Sequence, residues 1–145
     1  MIQIKHKATG KILLEVKSNN LVGVNLSYAF LDGVNLRWGD LTNGNLRYAD
    51  LEGADLREAN LEGANLEGAD LTGADLTGSK NIKSFRCGDF NRESYAVKHE
   101  DKIMFKIGCF WGTIDEALPL IRDKYGVDSY YEKLVTIYND MMMEQ

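Results

Sequence analysis

Residues 21–78 read LVGVN-LSYAF-LDGVN-LRWGD-LTNGN-LRYAD-LEGAD-LREAN-LEGAN-LEGAD-LTGAD-LTG, and leucine returns at every fifth position from Leu21 to Leu76. From Leu26 onward the residue two places before each leucine is Ala, Gly or Val, and the residue just before it is Asn or Asp except at Phe30. A period of five fits neither an amphipathic helix nor an alternating strand. A short repeat kept in phase for twelve units predicts a solenoid.

The most regular part of this stretch indicates a family. Its run ADLREANLEGANLEGADLTGADLTG resembles the pentapeptide-repeat family, whose consensus is A(D/N)LXX. The resemblance implies a right-handed quadrilateral β-helix, in which four pentapeptides make one coil and each leucine points inward with the small residue two places before it. The predicted fold class is therefore mainly β. Twelve repeats make about three coils, a length of about 14 Å at the spacing of neighbouring strands.

The interior of such a coil explains the residue types. Stacked leucines need small neighbours, because a narrow, close-packed interior leaves no room for a second large side chain at each level. Leu46 and Leu51 are predicted to lie inside it. Glycine at the last position of a repeat suits a corner where φ is positive. These corner glycines are Gly33, Gly53, Gly63, Gly68, Gly73 and Gly78.

Residues one coil apart are predicted to stack in columns on the outer sides. One side carries acidic residues with no base between them, and it is a candidate mimic of the phosphates of duplex DNA. Its acidic residues are Asp32, Asp50, Glu52 and Asp70. The preceding side is predicted to carry Tyr28 stacked beneath Tyr48. It also carries a column of asparagines, Asn25, Asn45 and Asn65, which is expected to join the coils as an amide ladder.

Aromatic side chains with arginine neighbours mark the early repeats. Such sets are typical of binding hot spots. The predicted protein-binding residues are Tyr28, Phe30, Trp38, Tyr48, Arg37 and Arg47. The alternative is that the two ends of the chain cover these rings.

The chain is predicted to have three parts. Residues 1–20 alternate apolar and polar positions on both sides of a turn, which predicts a β-hairpin cap. Residues 21–80 form the pentapeptide-repeat β-helix. Residues 81–145 are predicted to add a C-terminal α+β cap, a hairpin followed by two helices. Caps are expected because an open solenoid exposes unpaired backbone and core at both ends.

Turn and cap signals set the details of the two ends. In the N-terminal hairpin, the apolar residues expected to face the first coil are Ile2, Ile4, Ile12, Leu14 and Val16. The capping-box sequence TIDE from Thr113 predicts a helix that ends near Gly126 and is bent or shortened by Pro119. A second helix is expected from Asp128 or Ser129 onward.

Catalytic and metal chemistry finds little support in this sequence. The string GCFWG at 108–112 is identical to the active-site string of methionine sulfoxide reductase A, where the cysteine thiolate attacks the sulfoxide. That resemblance makes Cys109 a candidate nucleophile, provided that it precedes a helix N-terminus, which would lower its pKa. However, the acidic residue that follows the string in that enzyme falls here at Ile114, and the tail is far too short for that fold.

With two Cys and two His, no zinc site is expected either. The predicted protein is therefore not an enzyme and carries no cofactor or metal.

The layout of hairpin, repeats and tail is similar to small pentapeptide-repeat proteins of bacteriophage and bacterial genomes. We therefore predict a non-enzymatic protein-interaction module, a phage-type inhibitor or modulator of a bacterial host protein. The first alternative is a DNA-mimicking inhibitor or protector of DNA gyrase, and the second is the redox enzyme. The net charge of −5 and the lack of a basic stripe argue against direct nucleic-acid binding.

The sequence also gives expectations about where the protein is located and whether it forms a dimer. The chain has no apolar run of membrane-spanning length, and its first residues show no secretory signal. A cytoplasmic protein with no membrane contact is expected. Met141, Met142 and Met143 either pack between two copies, giving a homodimer through the C-terminal helices, or fray.

Overall fold

The computed structural model describes residues 1–85, 94–99, 102–107 and 110–144. Its elements are β1 (Ile2–His6), β2 (Ile12–Val16), β3 (Val34–Asn35), β4 (Ile82–Phe85), β5 (Ser94–His99), β6 (Lys102–Ile107), β7 (Phe110–Thr113), α1 (Ile114–Tyr125) and α2 (Tyr130–Met143). Most of the repeat segment consists of turns joined by single-residue bridges. Neither of these helices is long and apolar enough to cross a membrane.

The repeats wind into coils of twenty residues. Parallel backbone bridges join residues twenty places apart, from the pair Asn25 and Asn45 to the pair Asn60 and Lys80. A bridge occurs at every fifth residue, so each coil has four sides. Leu46 and Leu51 are completely buried, which confirms their predicted place in the core. The buried leucine side chains of all four sides thus pack together in one hydrophobic core.

Each corner is a four-residue turn that begins at a leucine. The leucine carbonyl accepts a hydrogen bond from the backbone N–H three residues on, as Leu51 does from Ala54 at 3.0 Å. The third residue of each turn has positive φ, as in a type II turn. The glycines predicted for these corners all have positive φ, between 59° at Gly33 and 70° at Gly78.

The Asn or Asp before each leucine closes a second, local turn. From Asn25 to Asp75, with Phe30 as the exception, its Oδ1 accepts a hydrogen bond from the backbone N–H two residues on. This Asx turn explains why the position requires a side-chain oxygen. Within the described residues, no side-chain hydrogen bond joins Asn25, Asn45 and Asn65 to one another. Instead of the predicted ladder, backbone hydrogen bonds such as Asn45 N–H to the Val24 carbonyl join the coils.

The N-terminal hairpin docks on the first coil. Strands β1 and β2 are antiparallel, and β1 also pairs with β3, a two-residue strand inside the repeats. Ile4 is buried against the leucine core. Ile12 is instead 42% exposed, contrary to the predicted alternation, because the register slips between Ile4 and Lys5. That slip lets Leu13 pack against the core in its place.

The C-terminal part is a sheet covered by two helices. Strands β4, β5, β6 and β7 form an antiparallel sheet in chain order, whereas the sequence predicted only the hairpin of β5 and β6. The capping box is present, since the Thr113 backbone N–H donates to Glu116 Oε2 at 2.8 Å. Helix α1 continues through Pro119 and ends before Gly126, so the proline does not shorten it. Ser129 caps helix α2, as expected.

Tyr95 joins the sheet to the last coil. It is 1% exposed, and its hydroxyl donates to the Leu66 carbonyl at 2.9 Å, with the Ala69 carbonyl at 3.4 Å. In the earlier coils the equivalent of the Ala69 carbonyl accepts a backbone N–H from the next coil, as Ala49 does from Asp70. The Tyr95 hydroxyl thus lies at a carbonyl whose equivalent in the earlier coil accepts a backbone N–H. Burial raises the pKa of this phenol, which therefore stays protonated.

Candidate functional site

Three of the candidate aromatic residues occupy strained corners. Tyr28, Trp38 and Tyr48 have φ values of 58°, 59° and 55°, in the left-handed region. Glycine, which adopts this region freely, fills most of the equivalent corners. A bulky residue there costs about 1–2 kcal/mol. The sequence contains the signal, since these aromatics fall at the same repeat position as the corner glycines.

Tyr28 and Tyr48 stack on each other, as the columns predicted. Their ring centroids are 5.1 Å apart, with the planes inclined by 20°. The ring of Tyr48 extends over the next coil, where a Cβ at Gly68 would collide with it. Glu67, in the next coil, fixes the position of Tyr48. Its carboxylate accepts a hydrogen bond from the Tyr48 hydroxyl at 3.3 Å and pairs with Arg47 at 2.8 Å.

These rings are open to solvent. Tyr28 is 68% exposed and Tyr48 is 43% exposed. Phe30, the one residue that replaces Asn or Asp before a leucine, is 86% exposed. In the part of the chain that the structure describes, neither cap covers these three rings. We call Tyr28, Phe30 and Tyr48 the aromatic corner. Phe30 lies two residues after Tyr28, just past one corner of the first coil, and Tyr48 stacks on Tyr28.

The four predicted acidic residues share one side, next to the aromatic corner. Phe30, Asp50 and Asp70 form one column through parallel bridges, with Asp32 and Glu52 beside it. Asp32 and Glu52 are exposed. The Asp50 and Asp70 carboxylates instead close Asx turns of their own coils, at 3.2 and 3.0 Å from the accepted N–H nitrogen. Asp32 and Glu52 are therefore the more exposed of the four carboxylates on this side.

Trp38 lies apart from the tyrosines. It is ten residues, or half a coil, beyond Tyr28, and therefore on the opposite corner. The Arg37 guanidinium lies over its ring, 3.9 Å from the centroid. The structure thus divides the predicted binding set in two, with Arg47 on the tyrosine side and Arg37 beside Trp38.

Asp55 anchors the side that carries Trp38. Its carboxylate is almost buried and forms a bidentate pair with Arg57, at 2.8 Å to Nε and 2.6 Å to Nη2. This hydrogen-bonded guanidinium lowers the pKa of Asp55 to about 2, against the opposing effect of burial. The arginine is thereby fixed in orientation on the outer surface.

The structure places the remaining predictions as follows. Cys109 lies outside the described residues, but strand β7 separates its position from helix α1, so no helix starts directly after it. Within the described ranges, no group of three or more His, Cys, Asp or Glu side chains is placed to hold a metal ion. Met142 is buried in the core of the C-terminal part, while Met141 and Met143 are exposed. The homodimer stays a prediction.

Comparisons with known proteins place the repeats in a family. Residues 20–57 and 54–80 match the family described as pentapeptide repeats, in eight copies. No curated protein matches the chain.

Two solved structures are similar to the repeats. One is a pentapeptide repeat protein from the Arabidopsis thaliana thylakoid lumen, 37% identical over 41% of this chain and 38% of that chain, with a TM-score of 0.31. The other is HetL, a pentapeptide repeat protein involved in heterocyst differentiation regulation from the cyanobacterium Nostoc, 37% identical over 41% of this chain and 35% of that one, with a TM-score of 0.30. The match therefore spans less than half the length of either relative.

Proposed function

We propose, from the premise that this chain is a pentapeptide-repeat protein through residues 20–80, that it acts as a non-enzymatic protein-interaction module. The repeats imply a right-handed quadrilateral β-helix, which is a stiff support for side chains on its outer sides. We propose the aromatic corner and the adjoining acidic side as the docking surface. The three parts proposed for the chain, residues 1–20, 21–80 and 81–145, are two caps and this support.

The single observation that carries this proposal is the strain at Tyr28 and Tyr48. Both rings are exposed, and both sit in a backbone conformation that glycine would adopt without cost. Strained backbone of this kind clusters at functional sites, where the surrounding structure enforces it. The stack offsets part of the cost, since an aromatic pair contributes about 0.5–1.5 kcal/mol. A stacked, exposed tyrosine pair is also the side-chain type that dominates binding hot spots.

The charge around the aromatic corner selects the partner. Phe30 stands directly above Asp50 in its column, and the exposed carboxylates of Asp32 and Glu52 lie beside it. An aromatic face next to carboxylates favours lysine or arginine side chains, through cation–π contact and charge pairing. We therefore propose that the partner presents a basic segment. A bacterial host protein inhibited or modulated by a phage-type module is the partner class that the layout favours.

The experiment compares glycine variants at the two corners. Tyr28→Gly with Tyr48→Gly removes the stacked rings and relieves the strain, so the fold is retained. Trp38→Gly makes the same change on the opposite side and is the matched control. Capture from bacterial lysate, followed by titration of the purified partner, should show binding lost in the double variant and kept in the control. Equal binding by wild type and double variant would refute the proposal.

A second candidate function rests on the acidic side. Asp50 above Asp70, and Asp32 beside them, present negative charge in columns, as a duplex presents phosphates. This supports a DNA mimic that inhibits or protects DNA gyrase. The repeats are short for that role, because about 14 Å corresponds to about four base pairs. A supercoiling assay with micromolar protein, with the variant Asp32→Asn and Glu52→Gln as control, tests it. The absence of inhibition and of protection would end this candidate.

A further inference from the structure

A groove lies where the turn of the N-terminal hairpin meets the first two coils, on the side that follows the acidic side around the coil. It has a volume of about 530 Å³, in the range of pockets that hold small molecules. Its lining residues are Lys7, Ala8, Asn35, Arg37, Trp38, Asp55 and Arg57. The groove exists only because β1 pairs with β3, which holds the hairpin turn over this side.

The groove is basic although the chain is acidic. Three cations line it against one carboxylate, whereas the whole chain has a net charge of −5. The carboxylate of Asp55 is already paired with Arg57. Lys7 and Arg37 form no ion pair with any carboxylate in the part of the chain that the structure describes. Two cations therefore remain uncompensated in this groove, and an anion would be held there by charge-assisted hydrogen bonds.

The cations are held in position before any ligand arrives. The Lys7 backbone N–H donates to the Gly33 carbonyl at 2.8 Å, and its ammonium donates to the Gly53 carbonyl at 2.5 Å. Asp55 fixes Arg57 bidentately. The Arg37 guanidinium lies over the ring of Trp38, 3.9 Å from its centroid, and this contact uses none of its five N–H donors. Donors that are already fixed lose little conformational entropy when a ligand binds. This favours a specific binding site over a surface that is only positively charged.

Trp38 adds a planar surface to these donors. It is 67% exposed, and its φ of 59° places it in the conformation that glycine adopts freely. The backbone at Trp38 is therefore strained in the same way as the backbone at Tyr28 and Tyr48, which lie half a coil away. An exposed indole beside arginine suits the stacking of a flat ring. The volume of the groove also exceeds what a bare phosphate ion would fill.

We propose that this groove binds a phosphomonoester that carries a planar ring, the chemistry of a mononucleotide. Arg37 and Lys7 hold the phosphate, and Trp38 stacks with the ring. The inference is independent of the proposed function, because none of the residues that line the groove belongs to the proposed docking surface. Either can fail while the other stands.

The test is calorimetric titration of the full chain with adenosine monophosphate, adenosine and inorganic phosphate. We expect adenosine monophosphate to bind more tightly than either part alone and to quench the exposed Trp38. Arg37→Gln should weaken binding at least about tenfold, the effect of losing one charge-assisted hydrogen bond. Arg47→Gln, an arginine lost from the tyrosine side, is the matched control and should bind as wild type does. Trp38→Gly, which keeps the corner unstrained, should reduce the affinity to that for phosphate.

Several outcomes would overturn the inference. Adenosine binding as tightly as the monophosphate would exclude the role of the cations, and phosphate binding as tightly would exclude that of the ring. An equal loss in Arg37→Gln and Arg47→Gln would show a general charge effect and no site. No detectable binding at about 10 mM adenosine monophosphate would also overturn it.

Discussion

Replacing Asp55 by asparagine tests how a single carboxylate stabilises the outer side of the coil. The side chain is almost buried and holds Arg57 at 2.8 and 2.6 Å. Asparagine keeps the oxygen that closes the Asx turn but loses the charge. The pKa of Asp55 falls from 3.8 to about 2 in the folded protein, chiefly through the hydrogen bonds from Arg57. A shift of that size corresponds to about 2 kcal/mol of folding free energy at pH 7.

The pH dependence has a definite sign. Because the folded pKa lies below the unfolded one, the stabilisation is complete above about pH 5 and is lost as the pH falls toward 2. Urea unfolding should therefore show Asp55→Asn less stable than wild type by about 2 kcal/mol at pH 7, and by about half of that at pH 3.

The control for this experiment is Asp32→Asn. That carboxylate is exposed on another side, so its removal should change stability by less than about 0.5 kcal/mol. A gap between wild type and Asp55→Asn that stays the same from pH 7 to pH 3 would refute the reasoning. A gap below about 0.5 kcal/mol at pH 7 would refute it as well.

Four further substitutions test the interior, the corners and the cap. Leu51→Ala should cost about 2–5 kcal/mol, because the side chain is completely buried, and a fall in melting temperature of only a degree or two would contradict its place in the core. Gly53→Ala should cost about 1–2 kcal/mol of left-handed strain alone, since its Cβ meets nothing. Gly68→Ala should cost more than that in urea unfolding, because the added methyl also meets the ring of Tyr48, and equal costs at the two glycines would exclude this contact. Tyr95→Phe should lose about 0.5–1.5 kcal/mol by removing the hydrogen bond that the hydroxyl donates to the Leu66 carbonyl, whereas unchanged stability would argue against the hydroxyl as a cap.

Much of the repeat segment followed from the sequence because its rule is local and periodic. The resemblance to pentapeptide repeats implies a coil in which the leucines are buried together, and Leu46 and Leu51 were placed correctly from it. The stack of Tyr28 on Tyr48 followed from the same count of twenty residues. The corner glycines were recognisable because positive φ is a property of one residue and its immediate turn.

The ends depended on contacts that no period describes. Leu13 packs in place of Ile12 because the register of β1 and β2 slips between Ile4 and Lys5, and an alternating pattern does not encode such a slip. Strands β4 and β7 were missed because each is only four residues long and is defined by its neighbours in the sheet. Tyr95 could not be recognised as a cap, since the carbonyls that it binds lie more than twenty residues earlier.

The sequence by itself determined the coil, its buried side chains and the order of its outer columns, because each repeat forms the same local turns. Only the tertiary structure decided which of the outer residues form sites. It left the rings of Tyr28, Trp38 and Tyr48 exposed. It also brought Lys7 from the hairpin to Arg37 and Arg57, because strand pairing between distant segments sets where the hairpin turn lies.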